Sequence, residues 1–185
     1  EAAELIELAQ SQNKILTVHQ NRRWDSDFLT VRKVLNSNLL GRLVEAEIHY
    51  DRFRNTLREN TWKEDDVYGT GILFDLGSHL IDQAQTLFGL PTAITADIRK
   101  QRIASRIADN FELILHYPDL KVTLKGGWLV REPLPHFILL GEQGSFVKYG
   151  MDVQEDALKI GATPLNTINW GTEPRDIWGK INTEF

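Results

Sequence analysis

Apolar and polar positions change period along the chain, and the changes divide it into elements. Over residues 1–12, Ala2, Leu5, Ile6 and Ala9 fall on one stripe at helical spacing. Ile15-Leu16-Thr17-Val18 is a short apolar run between that helix and the polar stretch His19-Gln20-Asn21-Arg22-Arg23. Such a run predicts a strand buried on both faces, and a helix leading into it is half of a βαβ unit. Asp25 or Ser26 can cap a second helix to about Asn36, with Phe28, Val31 and Leu35 turned inward. After the break Asn36-Ser37-Asn38 and Gly41, residues 43–53 alternate, Val44, Ala46, Ile48 and Tyr50 against Glu45, Glu47, His49 and Asp51. That is a half-buried strand.

Residues 54–70 are polar, include Trp62 and Gly69, and predict a long loop of the kind that often serves as a functional lid. The strongest helical pattern runs from Ile72 to Phe88, with Gly89 as its C-terminal cap and Pro91 preventing continuation. Strand patterns follow at about 92–101, 110–117, 120–130, 136–141 and 145–149. Tight turns at Pro118-Asp119 and Gly141-Glu142-Gln143-Gly144 make the strands they join antiparallel. From residue 151 the periodicity fades, and the tail is expected to wander over the surface. The order of elements predicts an α+β fold, an open-faced, mainly antiparallel or mixed sheet of about five or six strands with helices packed on one face. Phe111, Leu113, Leu115 and Tyr117 share one strand face and Ile114 lies on the other beside Glu112 and His116. A partly apolar face without helices commonly takes a partner sheet.

Composition narrows the function. The 185 residues are 42% hydrophobic and 25% charged, ordinary globular usage. The net charge is -5 with no basic stripe, which argues against nucleic acid as a partner. No apolar run approaches the ~20 residues that span a bilayer, so no membrane partner is expected. Glu1-Ala2-Ala3-Glu4 lacks the composition of a signal peptide. The absence of cysteine excludes disulfides and thiolate metal sites. It fits a cytoplasmic enzyme and equally a secreted protein without bridges. Glu1 opens directly into a helical pattern without Met, which suggests a boundary inside a longer protein.

Candidate chemistry concentrates in Gly69 to Asp82. Asp75 and His79 are i and i+4 on one helix face, and Asp82 follows His79 by three. Gly77 sacrifices roughly 1 kcal/mol of helix propensity against Ala, leaving room for a ligand or a closely packed neighbour. The structural alternative is that Asp75 caps the helix and His79 is a satisfied core or surface histidine.

Three segments resemble the Gfo/Idh/MocA family, the glucose–fructose oxidoreductase and inositol dehydrogenase group. They are Val18-His19-Gln20-Asn21-Arg22-Arg23-Trp24-Asp25; Gly71 through Gly89 with its Asp-Leu-Gly-Ser-His-Leu-x-Asp core; and Leu140-Gly141-Glu142-Gln143-Gly144-Ser145-Phe146. The resemblance runs from Glu1 to about Val153. It implies a two-domain parent: a Rossmann domain binding NAD or NADP, and a dihydrodipicolinate-reductase-like open sheet that closes over the nicotinamide and carries substrate. Residues 1–19 would be the last helix and strand of the Rossmann domain, 20–153 the substrate-binding and oligomerisation domain, and 154–185 a tail packed on it. The partners implied are a small polyol or sugar, the absent Rossmann domain, and further copies joined through the open sheet face. No Gly-x-Gly-x-x-Gly occurs in the 185 residues, and the family's Glu-Lys-Pro with its catalytic lysine is also absent, expected upstream of Glu1. This chain alone is therefore expected to be inactive and to bind no cofactor tightly.

The family's catalytic carboxylate and histidine correspond to Asp75 and His79. A neutral imidazole can take the proton of a carbinol as hydride leaves, so His79 is the expected general acid/base, with Asp75 orienting it or holding a substrate hydroxyl. Arg22 and Arg23 are expected near the nicotinamide, where a planar guanidinium suits a carboxamide or hydroxyl; the alternative is a salt-bridged or solvated arginine. Asn21 could contact the same ligand. Asp51 with Arg52 could reach substrate, Trp62 could stack on a sugar ring or anchor its loop, and Trp128 could line the pocket or the sheet interface. Asp82 is more ordinary as a helix-face charge, and His49, His116 and His136 as structural histidines. Two other functions compete: a metal-dependent hydrolase or isomerase ligated by Asp75, His79 and Asp82, and a non-catalytic sugar-binding or oligomerisation module. One helix provides too few ligands for the former.

Overall fold

Strand β1 (Leu43–Asp51) carries the alternation into three dimensions. Ala46, Ile48 and Tyr50 are buried, while Glu45 and Glu47 stay partly exposed on the opposite face. In this computed structural model, which describes residues 1–184, β1 lies at the middle of a seven-stranded sheet of order β2-β3-β4-β1-β5-β6-β7. The other strands are β2 (Ala93–Arg99), β3 (Asn110–His116), β4 (Lys121–Gly127), β5 (Phe137–Gly141), β6 (Gly144–Lys148) and β7 (Lys180–Thr183). Only the β1–β4 pair is parallel.

The register aligns apolar side chains in rows: Leu113 faces Leu124, which faces Ile48, and Ala46 faces Leu139. Helix α2 (Ser26–Asn36) and helix α3 (Ser78–Phe88) cover this face, contributing Phe28, Val31, Leu80 and Ala84 at 0% exposure. Each large side chain so buried is worth about 1.5–3 kcal/mol against exposure. The helix-free face is mostly charged. Lys121 pairs with Glu45 at 2.5 Å and Lys125 with Glu112 at 3.2 Å, with Ile114, Ile138, Leu140 and Val147 interspersed. An α+β fold with an open, mainly antiparallel sheet and helices on one face is therefore present.

Two expectations fail. Residues 14–20 form no strand, and Ile15 and Val18 are 96% and 81% exposed. A strand needs neighbours to pair its N–H and C=O groups, and none runs beside these residues among those described. Helix α1 (Ala2–Ser11) before them likewise buries none of its residues. The tail, conversely, is ordered. It forms helix α4 (Gln154–Lys159) and then β7, which pairs with β6 and brings the sheet to seven strands. Lys148, fully buried, ties the tail down through Glu173 at 3.0 Å and the Ile177 carbonyl at 2.8 Å. Asp25 also fails as a side-chain cap for α2. It accepts from Arg22 instead, and the Ser26 N–H at that helix start donates to tail residue Asp152 at 3.0 Å.

Gly77 is explained by close packing. A Cβ there would stand 3.2 Å from the Phe111 ring and 2.8 Å from Leu73 Cδ1. Gly77→Ala should therefore destabilise by about 1–2 kcal/mol, the overpacking outweighing the propensity gain of up to ~1 kcal/mol. Urea unfolding measures it, and a stabilised variant would disprove the packing argument.

Candidate active site

The polar loop 54–70 and the start of the long helix meet at one end of the sheet. The helix does not open as a regular α-helix. Leu73–Gly77 forms a π turn that runs directly into α3. Such π turns occur frequently at functional sites because the extra residue re-aims side chains. Asp75 lies in this turn and His79 at the beginning of α3.

The two side chains have different surroundings. Asp75 is about half exposed, with Lys63 Nζ 3.7 Å from its Oδ1. It lines a cavity of about 210 Å³ together with Arg54, Arg58, Trp62, Lys63 and Trp128. His79 is half-buried, and its Nδ1 is buried without a hydrogen-bond partner among the described residues. Burial, and secondarily the nearby Arg22 charge, hold its pKa below the ordinary 6.5, against the opposing pull of Asp75 and Asp82. No hydrogen bond joins Asp75 to His79 among the described residues, so the expected direct orientation is not realised. His79 also stands outside the cavity wall that Asp75 forms.

Arg22 belongs to the 3-10 turn Asn21–Trp24. Its guanidinium donates to Asp25 Oδ2 at 3.0 Å and to Glu155 Oε2 of α4 at 2.8 Å, and sits 5.7 Å from the Tyr50 ring centroid. Its Nε is buried without a partner among the described residues. These contacts, Glu155 first, raise its pKa against burial. Burial in turn lifts Asp25 to about 6 although Arg22 opposes it. Arg23 instead grips Asp82 of α3 bidentately at 2.8 and 2.6 Å, the salt-bridged alternative for both residues. Asn21 is exposed. Asp51 alternates onto the helix-free face, where it accepts from or pairs with His49 Nδ1 at 3.1 Å, and the structure does not bring it to Asp75. His136 is buried with Nδ1 2.6 Å from Asp27 Oδ2, a structural pair.

Trp62 begins the 3-10 turn Trp62–Glu64 and is 61% exposed, its ring available at the cavity. Trp128 is buried, with the Arg102 guanidinium 4.3 Å over its ring. Arg102 in turn binds Glu64 of the loop at 2.8 Å and Asp109 at 2.9 Å, all three buried. This triad pins the loop to the segment joining β2 and β3.

Arg54, Arg58, Arg102 and Glu155 were not among the residues singled out from the sequence. The spacing Arg52-x-Arg54-x-x-x-Arg58 was available as a signal for the first two. Nothing local marks Arg102 or Glu155 as part of a site, because the contacts that matter, Arg102 to Glu64 and Glu155 to Arg22, span 38 and 133 residues. Among the described residues, no three His, Asp or Glu side chains are grouped so as to hold a metal ion. No helix among them is long and apolar enough to cross a membrane.

A family model described as the GFO/IDH/MocA C-terminal domain matches residues 28–147. The chain is 44% identical over 176 residues to the oxidoreductase YdgJ of Escherichia coli, covering 95% of this chain and 50% of that protein. It is 39% identical to the scyllo-inositol 2-dehydrogenase (NADP(+)) IolW of Bacillus subtilis, covering 95% of this chain and 48% of that one. Among solved structures, an oxidoreductase from Bacteroides fragilis superposes with a TM-score of 0.85 at 46% identity, covering 99% of this chain and 52% of that chain. This chain spans about half the length of the relatives it matches.

Proposed function

This chain belongs to the GFO/IDH/MocA oxidoreductase family through that family's C-terminal domain, and from that premise we propose that it is the substrate-binding and catalytic-histidine half of an NAD(P)-dependent dehydrogenase acting on a sugar, cyclitol or related polyol. One observation carries the reading. A histidine kept neutral by burial and by Arg22 stands one turn from a carboxylate that faces a cavity, with an exposed indole on the same wall. A sugar ring presents an apolar C–H face that suits Trp62, and its hydroxyls suit Asp75 and Lys63. His79 takes the carbinol proton, Asp75 holds a substrate hydroxyl, and burial, with the Arg22 charge second, keeps the imidazole unprotonated.

NAD(P), when bound, supplies the hydride acceptor. Its pyrophosphate grip is not encoded in these residues, which contain no Gly-x-Gly-x-x-Gly. What this chain offers the cofactor is a rim near Arg22, whose buried Nε has no partner among the described residues. The NADP(+) in the name of the B. subtilis relative supports a nicotinamide cofactor. Residues 1–19 pack as the edge of the cofactor domain; the exposure of Leu5, Ile6 and Leu8 on α1 supports this. The tail 154–185 serves the substrate domain, through Glu155 on Arg22. Copies associate through the open sheet face, where Ile138, Leu140 and Val147 lie between ion pairs. A cytoplasmic setting agrees with the absence of cysteine, as a secreted one without bridges also would.

The test is a screen of hexoses, hexuronates and inositols with the full-length protein, following nicotinamide absorbance with NAD and with NADP. Turnover of a polyol is expected. A full-length protein that reduces neither cofactor with any of them would defeat the reading.

A further inference from the structure

Around the cavity, positive charge exceeds what the protein itself neutralises. Of four nearby guanidinium groups, Arg102 is bound by Glu64 and Asp109, and Arg52 lies over the Tyr50 ring with its Nη2 3.5 Å from the hydroxyl. Arg54 and Arg58 both line the cavity, and neither side chain has a carboxylate partner among the described residues. The carboxylates in the wall are already engaged: Glu64 by Arg102 and by the Arg58 N–H at 3.2 Å, and Asp75 by Lys63. The excess is local, because the chain as a whole carries -5.

We infer that the substrate carries an anionic group, a carboxylate or a phosphate, on its polyol frame, and that Arg54 and Arg58 receive it. This deepens the polyol reading of the cavity and rests on it. Guanidinium forks match carboxylate and phosphate oxygens in geometry as well as charge, and neutral hydroxyls do not require two of them. Arg54 is half-buried, with its pKa lowered by burial and then by the like charges of Arg58, Arg52 and Arg102. A cluster that strains against its own charge is relieved when an anion enters. The aromatic rings complete the site. Trp128 is covered by Arg102, 4.3 Å above its ring, and Arg54 lies 5.7 Å from the same ring, so Trp62 is the surface left for the sugar.

The experiment is a titration of the full chain, followed by tryptophan fluorescence, with D-glucose, D-glucuronate and D-glucose 6-phosphate, and with myo-inositol and its 1-phosphate. At low salt at least one anionic probe should bind about 10-fold or more tightly than its neutral parent, with the advantage shrinking as salt rises. The carboxylate and phosphate arms identify which anion fits. Arg58→Ala, at an exposed position, should bring the ratio toward one by weakening the anionic probe more than its neutral parent; Arg54→Gln is the second variant, with circular dichroism confirming its fold. Neutral and anionic probes bound equally would overturn the anion assignment and leave the polyol reading standing. Preference unchanged in both folded variants would do the same. Binding of none of the five by the folded chain would overturn both.

Discussion

Replacing His79 with alanine in the full-length enzyme is expected to lower turnover by roughly 100-fold or more, the usual loss when a positioned general base is removed. The expectation comes from the environment of the imidazole as much as from its place after Asp75. Burial is the larger influence on His79 and the Arg22 charge the second, and both disfavour the protonated ring. The neutral form required to accept a carbinol proton thus predominates at neutral pH, and the acid limb of kcat/KM for oxidation should fall below pH 6.5, the ordinary imidazole value. Arg22→Ala removes the second influence and should move that limb to higher pH. A purely structural histidine would give neither result. An unchanged rate in folded His79→Ala, or a limb that stays in place without Arg22, removes the residue from the mechanism.

The parts of the fold that could be read in advance are those whose causes are local. The period of two in β1 placed Ala46, Ile48 and Tyr50 on the core side without knowledge of any partner. Gly89, with φ of 76°, ends α3 as its position before Pro91 implied. Failures occurred where the cause lies elsewhere in the chain. Ile15 to Val18 have strand composition, but a strand is a relation between segments. The six residues of α4 and four of β7 are too short for periodicity to register; β6 and the Lys148–Glu173 pair hold this stretch in place.

The site divides along the same line. Asp75, His79, Trp62 and Trp128 were visible as residue types at suggestive places. Their arrangement was not, because the i, i+4 argument assumes an unbroken α-helix and the π turn at Leu73–Gly77 intervenes. Asp51 is a related case. Proximity to the end of β1 suggested substrate contact, yet its odd position in the alternation sends it to the other face beside His49. Arg22 was placed near the site for its reach toward a ligand; Asp25 engages it locally, but its engagement by Glu155 depends on a helix more than a hundred residues away.

The loop that bears Trp62 owes its position to Arg102, and Arg102→Ala should cost about 3–5 kcal/mol of stability, the range for leaving buried charges without their partner. Both carboxylates are enclosed, Asp109 with a fully buried side chain and Glu64 with one 8% exposed. Truncation also uncovers the Trp128 ring, over which the guanidinium lies at 4.3 Å. The penalty should depend on pH in a definite direction. Burial pushes Asp109 upward, but the N–H of Gln101 and the side chain and N–H of Arg102 outweigh it and hold its pKa below the ordinary value. A carboxyl lowered on folding contributes stability above its unfolded pKa of about 3.9 and loses that contribution as pH falls through the folded value. Without Arg102 the burial influence is left opposed chiefly by the two backbone donors, so Asp109 should protonate more readily in the variant. The stability gap between parent and variant should therefore be widest near neutral pH and should narrow as pH falls below about 4. Urea unfolding across that range measures both effects. A loss under about 1 kcal/mol, the range of exposed ion pairs, would mean that water reaches the triad. A gap that widens toward acid would mean that Asp109 is not the group held by Arg102.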